Sequence, residues 1–176
     1  MRHLKNIVLI GFMGSGKTSI GRLLAAKVGR RFIDVDKEIE NEAGMTITDM
    51  FAAHGEAYFR QKEAEYILLV SHRRSAVIAT GGGVVLNHEN IKNLGKNGVI
   101  ISLSASVDTI LERTGRRSTR PLLNRPDRAD VIAKLLADRT ELYNQADYII
   151  NTDGVTPQKI TEEIIVLLKQ GGYIRG

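Results

Sequence analysis

The chain has 176 residues, a length that suits one globular domain and is short for two. Its hydrophobic fraction of 43% can supply a core, it has no cysteine for disulfides or thiolate metal sites, and no apolar run reaches the roughly 20 residues that span a bilayer. The net charge of +5 leaves open a nucleic-acid surface or a local site for a phosphorylated ligand. We expect one cytoplasmic domain over residues 1–176, outside any membrane.

Short β-branched runs alternate with helical patterns along the chain. The runs that predict strands lie at 7–10, 32–34, 76–79, 99–103 and 148–150. Helical patterns lie at about 18–28, 37–43, 46–53, 56–72, 87–94, 106 onward, 128–145 and 157–170. Such alternation predicts right-handed crossovers, and hence a three-layer α/β/α fold with a central five-stranded parallel sheet. Ligands of such sheets bind beyond the carboxyl ends of the strands.

Residues 11–18, with the sequence GFMGSGKT, match the G-x-x-x-x-G-K-[ST] motif in full. The motif lies between a predicted strand and a predicted helix, where its backbone N–H groups and the helix dipole can surround phosphate oxygens. Lys17 can reach the β- and γ-phosphates, and the Thr18 hydroxyl can bind Mg²⁺. The residues predicted to hold ATP here are Gly11, Gly14, Ser15, Gly16, Lys17, Thr18 and Ser19. The motif alone does not separate a kinase from an ATPase, a GTPase or a nucleotide-dependent switch.

Six arginines lie within the sixteen residues 113–128, and no aromatic residue lies among them. A protein that binds single-stranded nucleic acid is expected to offer aromatic rings on which bases stack. The segment therefore fits a local anion site of triphosphate size better than a nucleic-acid surface, and we expect no nucleic-acid partner. The four histidines of the chain have no metal-ligand spacing.

Five further elements follow the phosphate motif in a fixed order. They are Phe32-Ile-Asp34-Val-Asp36, Phe59-Arg60, Gly81-Gly-Gly83, Arg120-Pro-Leu-Leu123, and Arg139 followed by Leu142-Tyr143. Together they resemble shikimate kinase, a P-loop kinase of the nucleoside-monophosphate-kinase-like group, over about residues 5–170. The resemblance implies transfer of a phosphoryl group from ATP to the 3-hydroxyl of shikimate, giving shikimate 3-phosphate and ADP in aromatic amino-acid biosynthesis. It also implies a monomer.

Two carboxylates at the end of the second predicted strand are candidates for metal binding and catalysis. Asp34 and Asp36 lie two residues apart, so in an extended chain both side chains would face the same side. The resemblance implies that Asp34 helps to hold Mg²⁺ through water, and that Asp36 hydrogen-bonds the acceptor hydroxyls beside the nucleophile. Asp36 as a plain acidic residue in the first turn of the next helix is the alternative. Whether Asp36 removes the proton or only positions the hydroxyl stays open.

The resemblance assigns the substrate carboxylate to Arg60, Arg139 and the backbone of Gly81, Gly82 and Gly83. A guanidinium matches a carboxylate with two parallel hydrogen bonds, and glycines let backbone N–H groups approach a ligand. The segment at about 34–62 would form the acceptor-binding helices. The alternatives are solvated helix arginines and a simple tight turn.

The resemblance also implies a lid at about 113–127. Its Arg120 would swing over the β- and γ-phosphates and stabilise charge during transfer. Arg113 and Pro157 would flank the adenine. For the other arginines of the segment we expect a solvated face; these are Arg116, Arg117, Arg125 and Arg128.

Three rival functions stay open. The first is a kinase for another small polyol acid, such as gluconate. The second is a nucleotide-binding switch or a nucleic-acid-associated ATPase, which the positive net charge of the chain suggests. The third is an inactive structural relative, against which the intact Lys17, Asp34, Asp36 and Arg120 argue.

Overall fold

The computed structural model describes residues 4–115 and 126–175, and this part of the chain contains five strands and eight α-helices. The strands are β1 (Asn6–Ile10), β2 (Arg31–Asp34), β3 (Ala76–Ala79), β4 (Gly98–Ser104) and β5 (Tyr148–Asn151). The helices are α1 (Lys17–Val28), α2 (Val35–Ala43), α3 (Ile47–His54), α4 (Glu56–Ser71), α5 (His88–Asn97), α6 (Val107–Gly115), α7 (Arg128–Tyr143) and α8 (Pro157–Gln170). One short 3-10 helix lies at Val84–Leu86.

The five strands form one parallel sheet in the order β2-β3-β1-β4-β5. Strand β1 lies at its centre, so that Ile7 pairs with Val77 of β3 on one side and with Val99 of β4 on the other. After β1 the chain first builds the half with β2 and β3 and later the half with β4 and β5. The carboxyl end of β1 therefore lies at the point where the strand order reverses, which is the usual ligand position of such sheets.

The alternation of side chains along β1 explains why both faces of the sheet are covered. Val8 and Ile10 belong to one buried cluster, and Ile7 and Leu9 belong to another. Helices α2 to α7 contribute to the first cluster and helices α1 and α8 to the second. The predicted three-layer fold is thus confirmed. Within the described residues, no helix combines the length and the apolar character needed to cross a membrane.

The start of α2 corrects the prediction for the two carboxylates after β2. Asp34 has an extended backbone and caps the helix, because its Oδ1 accepts a hydrogen bond from the Lys37 N–H at 3.4 Å. Helix α2 begins at once with Val35, so Asp36 lies in its first turn. The extended-chain argument therefore does not apply to Asp36, whose backbone follows the alternative, the first turn of the next helix. Asp34 is therefore both the last residue of β2 and the N-cap of α2.

The prediction of a solvated face for Arg128 is also wrong. Arg128 is half-buried at the start of α7, and its Nη2 donates to the Thr114 hydroxyl at 2.5 Å and to the Leu111 carbonyl at 3.4 Å. Helices α6 and α7 pack together, and this packing brings the guanidinium to the polar end of α6. Arg116, Arg117, Arg120 and Arg125 lie outside the described residues, as does most of the predicted lid.

Candidate active site

A cleft of about 520 Å³ opens at the carboxyl edge of the sheet. It lies where β1, β2 and β3 end, so segments that are distant in sequence meet there. Its lining combines the phosphate motif with both candidate carboxylates, two glycines after β3 and residues of α6 and α8. The predicted site residues in this lining are Gly14, Ser15, Gly16, Lys17, Thr18, Ser19, Asp34, Asp36, Gly81, Gly82, Arg113 and Pro157.

The phosphate motif forms a tight loop between β1 and α1. Gly14 and Gly16 have φ angles of 78° and 96°, in the left-handed region that favours glycine. The Lys17 ammonium lies inside the loop, where it donates to the carbonyls of Gly11 at 2.6 Å and Phe12 at 2.9 Å. Helix α1 begins at Lys17, so the first N–H groups of the helix and the lysine ammonium are available to the same phosphate. This arrangement provides positive charge and backbone donors for phosphate.

A hydroxyl and a carboxylate meet at the mouth of the loop. Thr18 Oγ1 donates to Asp34 Oδ2 at 2.9 Å, which joins the first turn of α1 to the end of β2. Both are hard oxygen donors of the kind that Mg²⁺ prefers, so the residues present fit this cation. The described residues contain no group of three or more His, Cys, Asp and Glu side chains that could hold a metal. A small cation here would therefore need oxygens from a bound ligand as well.

The turn at Gly81, Gly82 and Gly83 packs against three different parts of the site. A Cβ on Gly81 would lie 2.7 Å from Asp36 Oδ1 and 3.0 Å from Glu63 Oε1. A Cβ on Gly82 would lie 3.0 Å from the Met13 backbone nitrogen, in the phosphate loop. One on Gly83 would overlap the guanidinium of Arg60. The missing side chains thus let carboxylates, loop and arginine converge on one turn.

Glu63 pairs with one of the two candidate carboxylate-binding arginines, Arg60, and interacts electrostatically with the other, Arg139. It lies on α4 with 1% of its side chain exposed, and its Oε2 accepts from Arg60 Nη1 at 2.8 Å. Arg60 Nη2 also lies 3.2 Å from Glu56. Burial raises the pKa of Glu63, and the charges of Arg60 and Arg139 oppose this rise. Glu63 Oε1 has no hydrogen-bond partner among the described residues.

Arg139 reaches the same region from α7. It is buried, and its guanidinium lies 5.7 Å from the centre of the Phe12 ring in the phosphate loop. Arg60, Gly83 and Arg139 do not line the cleft itself. They adjoin it through Glu63 and the glycine turn, so that both arginines lie beside the cleft.

On the other side of the cleft, Arg113 braces the phosphate loop. Its Nη1 donates to the Gly14 carbonyl at 3.3 Å and to the Thr152 hydroxyl at 3.0 Å, and its Nη2 donates to the Thr152 carbonyl at 2.9 Å. Pro157 is the first residue of α8 and follows Thr156, which caps the helix. This part of the cleft thus pairs a guanidinium with a proline ring.

Sequence reasoning missed two residues of this site. The spacing of Arg60 and Glu63 on a predicted helix, three residues apart, is the signal that could have identified Glu63. Thr152 has no motif, and only its place after β5 points to it.

Comparison with known proteins identifies the family. The family model for shikimate kinase matches residues 13–169. The chain belongs to the shikimate kinase family. Its members transfer a phosphoryl group from ATP, so the chain is a phosphotransferase.

Individual relatives match nearly the whole chain. Shikimate kinase of Thermodesulfovibrio yellowstonii is 50% identical over 162 residues, which is 92% of this chain and 94% of the relative. A solved structure of shikimate kinase from Acinetobacter baumannii in complex with shikimate is 36% identical, with a TM-score of 0.93 over 97% of this chain and 96% of that chain. A gluconokinase from Sinorhizobium meliloti is 17% identical with a TM-score of 0.62 over 97% of this chain and 94% of that chain, and shares the fold.

Proposed function

We propose that the chain phosphorylates the 3-hydroxyl of shikimate with ATP, giving shikimate 3-phosphate and ADP in aromatic amino-acid biosynthesis. The contacts of the glycine turn carry this proposal. Gly81 lies against Asp36 and Glu63, and the next residue, Gly82, lies against the phosphate loop. A donor site and an acidic acceptor site therefore meet one residue apart, which is the proximity that phosphoryl transfer requires.

The donor half holds the triphosphate. The loop N–H groups, the start of α1 and Lys17 would bind the β- and γ-phosphates, and Lys17 would exchange its contacts with loop carbonyls for phosphate oxygens. Thr18 and Asp34 would hold Mg²⁺. When bound, this cation neutralises charge on the phosphates. Arg113 and Pro157 would flank the adenine.

The acceptor half holds a carboxylate and presents a hydroxyl. Arg60, Arg139 and the backbone of Gly81, Gly82 and Gly83 would bind the shikimate carboxylate, since two guanidinium groups offer the fork that a carboxylate fits. Asp36 lines the cleft and lies next to the Gly81 end of the glycine turn. It would orient the 3-hydroxyl and accept its proton as the bond to phosphorus forms.

Other parts of the proposal rest on the family pattern, on the chain length or on the composition. Arg120 would stabilise charge at transfer from a lid at about 113–127, and it lies outside the described residues. The chain would act as one domain over 1–176 and as a monomer. We place it in the cytoplasm, where ATP is available and a chain without cysteine needs no oxidising environment.

The test is acceptor-dependent release of ADP. Purified protein with MgATP should release ADP when shikimate is added and very little without it, and the product should be shikimate 3-phosphate by mass spectrometry. Turnover raised by gluconate or by single-stranded DNA, and not by shikimate, would establish one of the rival functions instead.

The role of Asp36 has its own variant. Asp36→Asn keeps the size of the side chain and removes the charge that accepts the proton, so we expect kcat to fall by about 10²-fold or more while ADP affinity stays unchanged. Asp108→Asn, at an exposed position in α6, is the matched control and should keep full activity. Loss of nucleotide binding in Asp36→Asn would contradict the assigned role.

A further inference from the structure

The hydroxyl of Tyr143 lies behind the glycine turn and has no part in the function described so far. Tyr143 is the last residue of α7 and is buried, with 6% of its surface exposed. Its Oη donates to the Gly82 carbonyl at 2.5 Å, across 61 residues of sequence. A buried phenol that donates its hydrogen bond to a loop carbonyl constrains the position of that loop.

This bond fixes a peptide plane of the acceptor pocket. The Gly82 carbonyl and the Gly83 N–H belong to one trans peptide, so they point in opposite directions. Holding the carbonyl on Tyr143 therefore turns the Gly83 N–H away from α7. The preceding peptide is held separately, because the Gly81 carbonyl accepts from the Val84 N–H at 3.3 Å. The hydrogen bonds of the two carbonyls thus fix the directions of the Gly82 and Gly83 N–H groups.

The same hydroxyl acts on Arg139. These two residues lie four apart on α7, so they share one face of the helix. Burial raises the pKa of Tyr143, while the charge of Arg139 and a hydrogen bond from it oppose the rise. The phenol consequently keeps its proton for the Gly82 carbonyl at neutral pH. Phe12 holds Arg139 from the phosphate loop, 5.7 Å away.

We propose that Tyr143 is a positioning residue for the acceptor carboxylate, acting through the Gly82–Gly83 peptide and through Arg139. Its single hydroxyl couples a backbone donor and a guanidinium, so both present their N–H groups to one anion. The role rests on the proposed function, since it requires an acceptor that carries a carboxylate. Removal of the hydroxyl would loosen both donors at once and leave the chemistry at Asp36 in place.

Tyr143→Phe tests this role, because the variant keeps the ring in the core and removes only the hydroxyl. The loss of one buried hydrogen bond corresponds to a rise of about tenfold in the KM for shikimate. We expect kcat and the KM for ATP to stay unchanged. A shikimate analogue with a hydroxymethyl group in place of the carboxylate should react with the parent and the variant at the same KM.

The comparison of the two acceptors separates positioning from general damage. A partly unfolded preparation would lower turnover with both acceptors and leave both KM values alone. Tyr148→Phe, which removes a hydroxyl on β5, is the control and should match the parent. An unchanged KM for shikimate, or an equal rise for both acceptors, would overturn the role of Tyr143. A parent enzyme that is inactive with shikimate would overturn the proposed function, and this role with it.

Discussion

Substitution of Gly81 by alanine isolates the steric demand of the acceptor site. The φ angle of Gly81 lies outside the positive region, so alanine can adopt the same backbone conformation. The added methyl group would lie 2.7 Å from Asp36 Oδ1 and 3.0 Å from Glu63 Oε1, where ordinary contacts begin at 3.4 Å. It would thus lie between two carboxylates that the native turn allows to approach each other.

The size of the effect follows from these distances. The Asp36 carboxylate must retreat by about 0.7 Å and the Glu63 carboxylate by about 0.4 Å to restore ordinary contact with the methyl group. A displacement near 1 Å of a group that aligns reactants can cost about 10²-fold in rate. We therefore expect kcat with shikimate to fall by about 10- to 100-fold. The phosphate loop is not touched, so ADP affinity should not change.

The assay measures ADP release at saturating MgATP and shikimate, together with ADP binding by calorimetric titration. Gly95→Ala is the matched control, because a methyl group there would meet only Ile100 Cδ1, at an ordinary 3.8 Å. This control should keep full activity and gain slightly in stability as a helix substitution. Retention of kcat in Gly81→Ala, or a loss of ADP affinity that equals the loss of kcat, would refute the reasoning.

Two further predictions concern the neighbouring groups. Gly83→Ala should push the Arg60 guanidinium away from Glu63 and raise the KM for shikimate by about tenfold, with ADP affinity preserved; an unchanged KM in steady-state assays would contradict this. Because burial raises the pKa of Glu63, its contribution to stability is complete below the ordinary pKa of about 4.5 and is lost as the pH rises through the higher folded-state pKa. Urea unfolding should therefore show that Glu63→Gln gains stability relative to the parent as the pH rises from about 4 to about 7. Glu56→Gln is the control. A difference in stability between Glu63→Gln and the parent that does not change with pH would contradict the raised pKa.

The fold was predictable because its signals are local and repeated. Each strand is a short β-branched run, and Gly29, Asn87 and Thr156, residues of types that commonly cap helices, bound α1, α5 and α8. The boundary after β2 was not predictable in the same way. Asp34 serves as strand end, helix cap and partner of Thr18 together, and only the tertiary structure decides among these roles.

The two halves of the candidate site differ in the same way, because one is local in sequence and the other is not. The phosphate motif carries its own geometry, since loop, lysine and helix are consecutive in sequence. The acceptor pocket is formed by α2, α4, α7 and the turn after β3. The spacing of these elements along the sequence does not predict that they lie close together. Glu63 and the hydrogen bond from Tyr143 to Gly82 belong to this second kind, because their significance lies in contacts between distant segments.

Three consecutive glycines usually suggest a flexible hinge, yet the contacts of this turn indicate the opposite. The space beside each glycine is filled by a different group, namely the carboxylates at Gly81, the phosphate loop at Gly82 and the Arg60 guanidinium at Gly83. Close packing of this kind transmits displacement and resists deformation. A movement of the phosphate loop on binding nucleotide would therefore reach the acceptor groups through Gly82 directly. The glycines thus let the donor and acceptor sites share one rigid wall, which keeps the reacting groups in register.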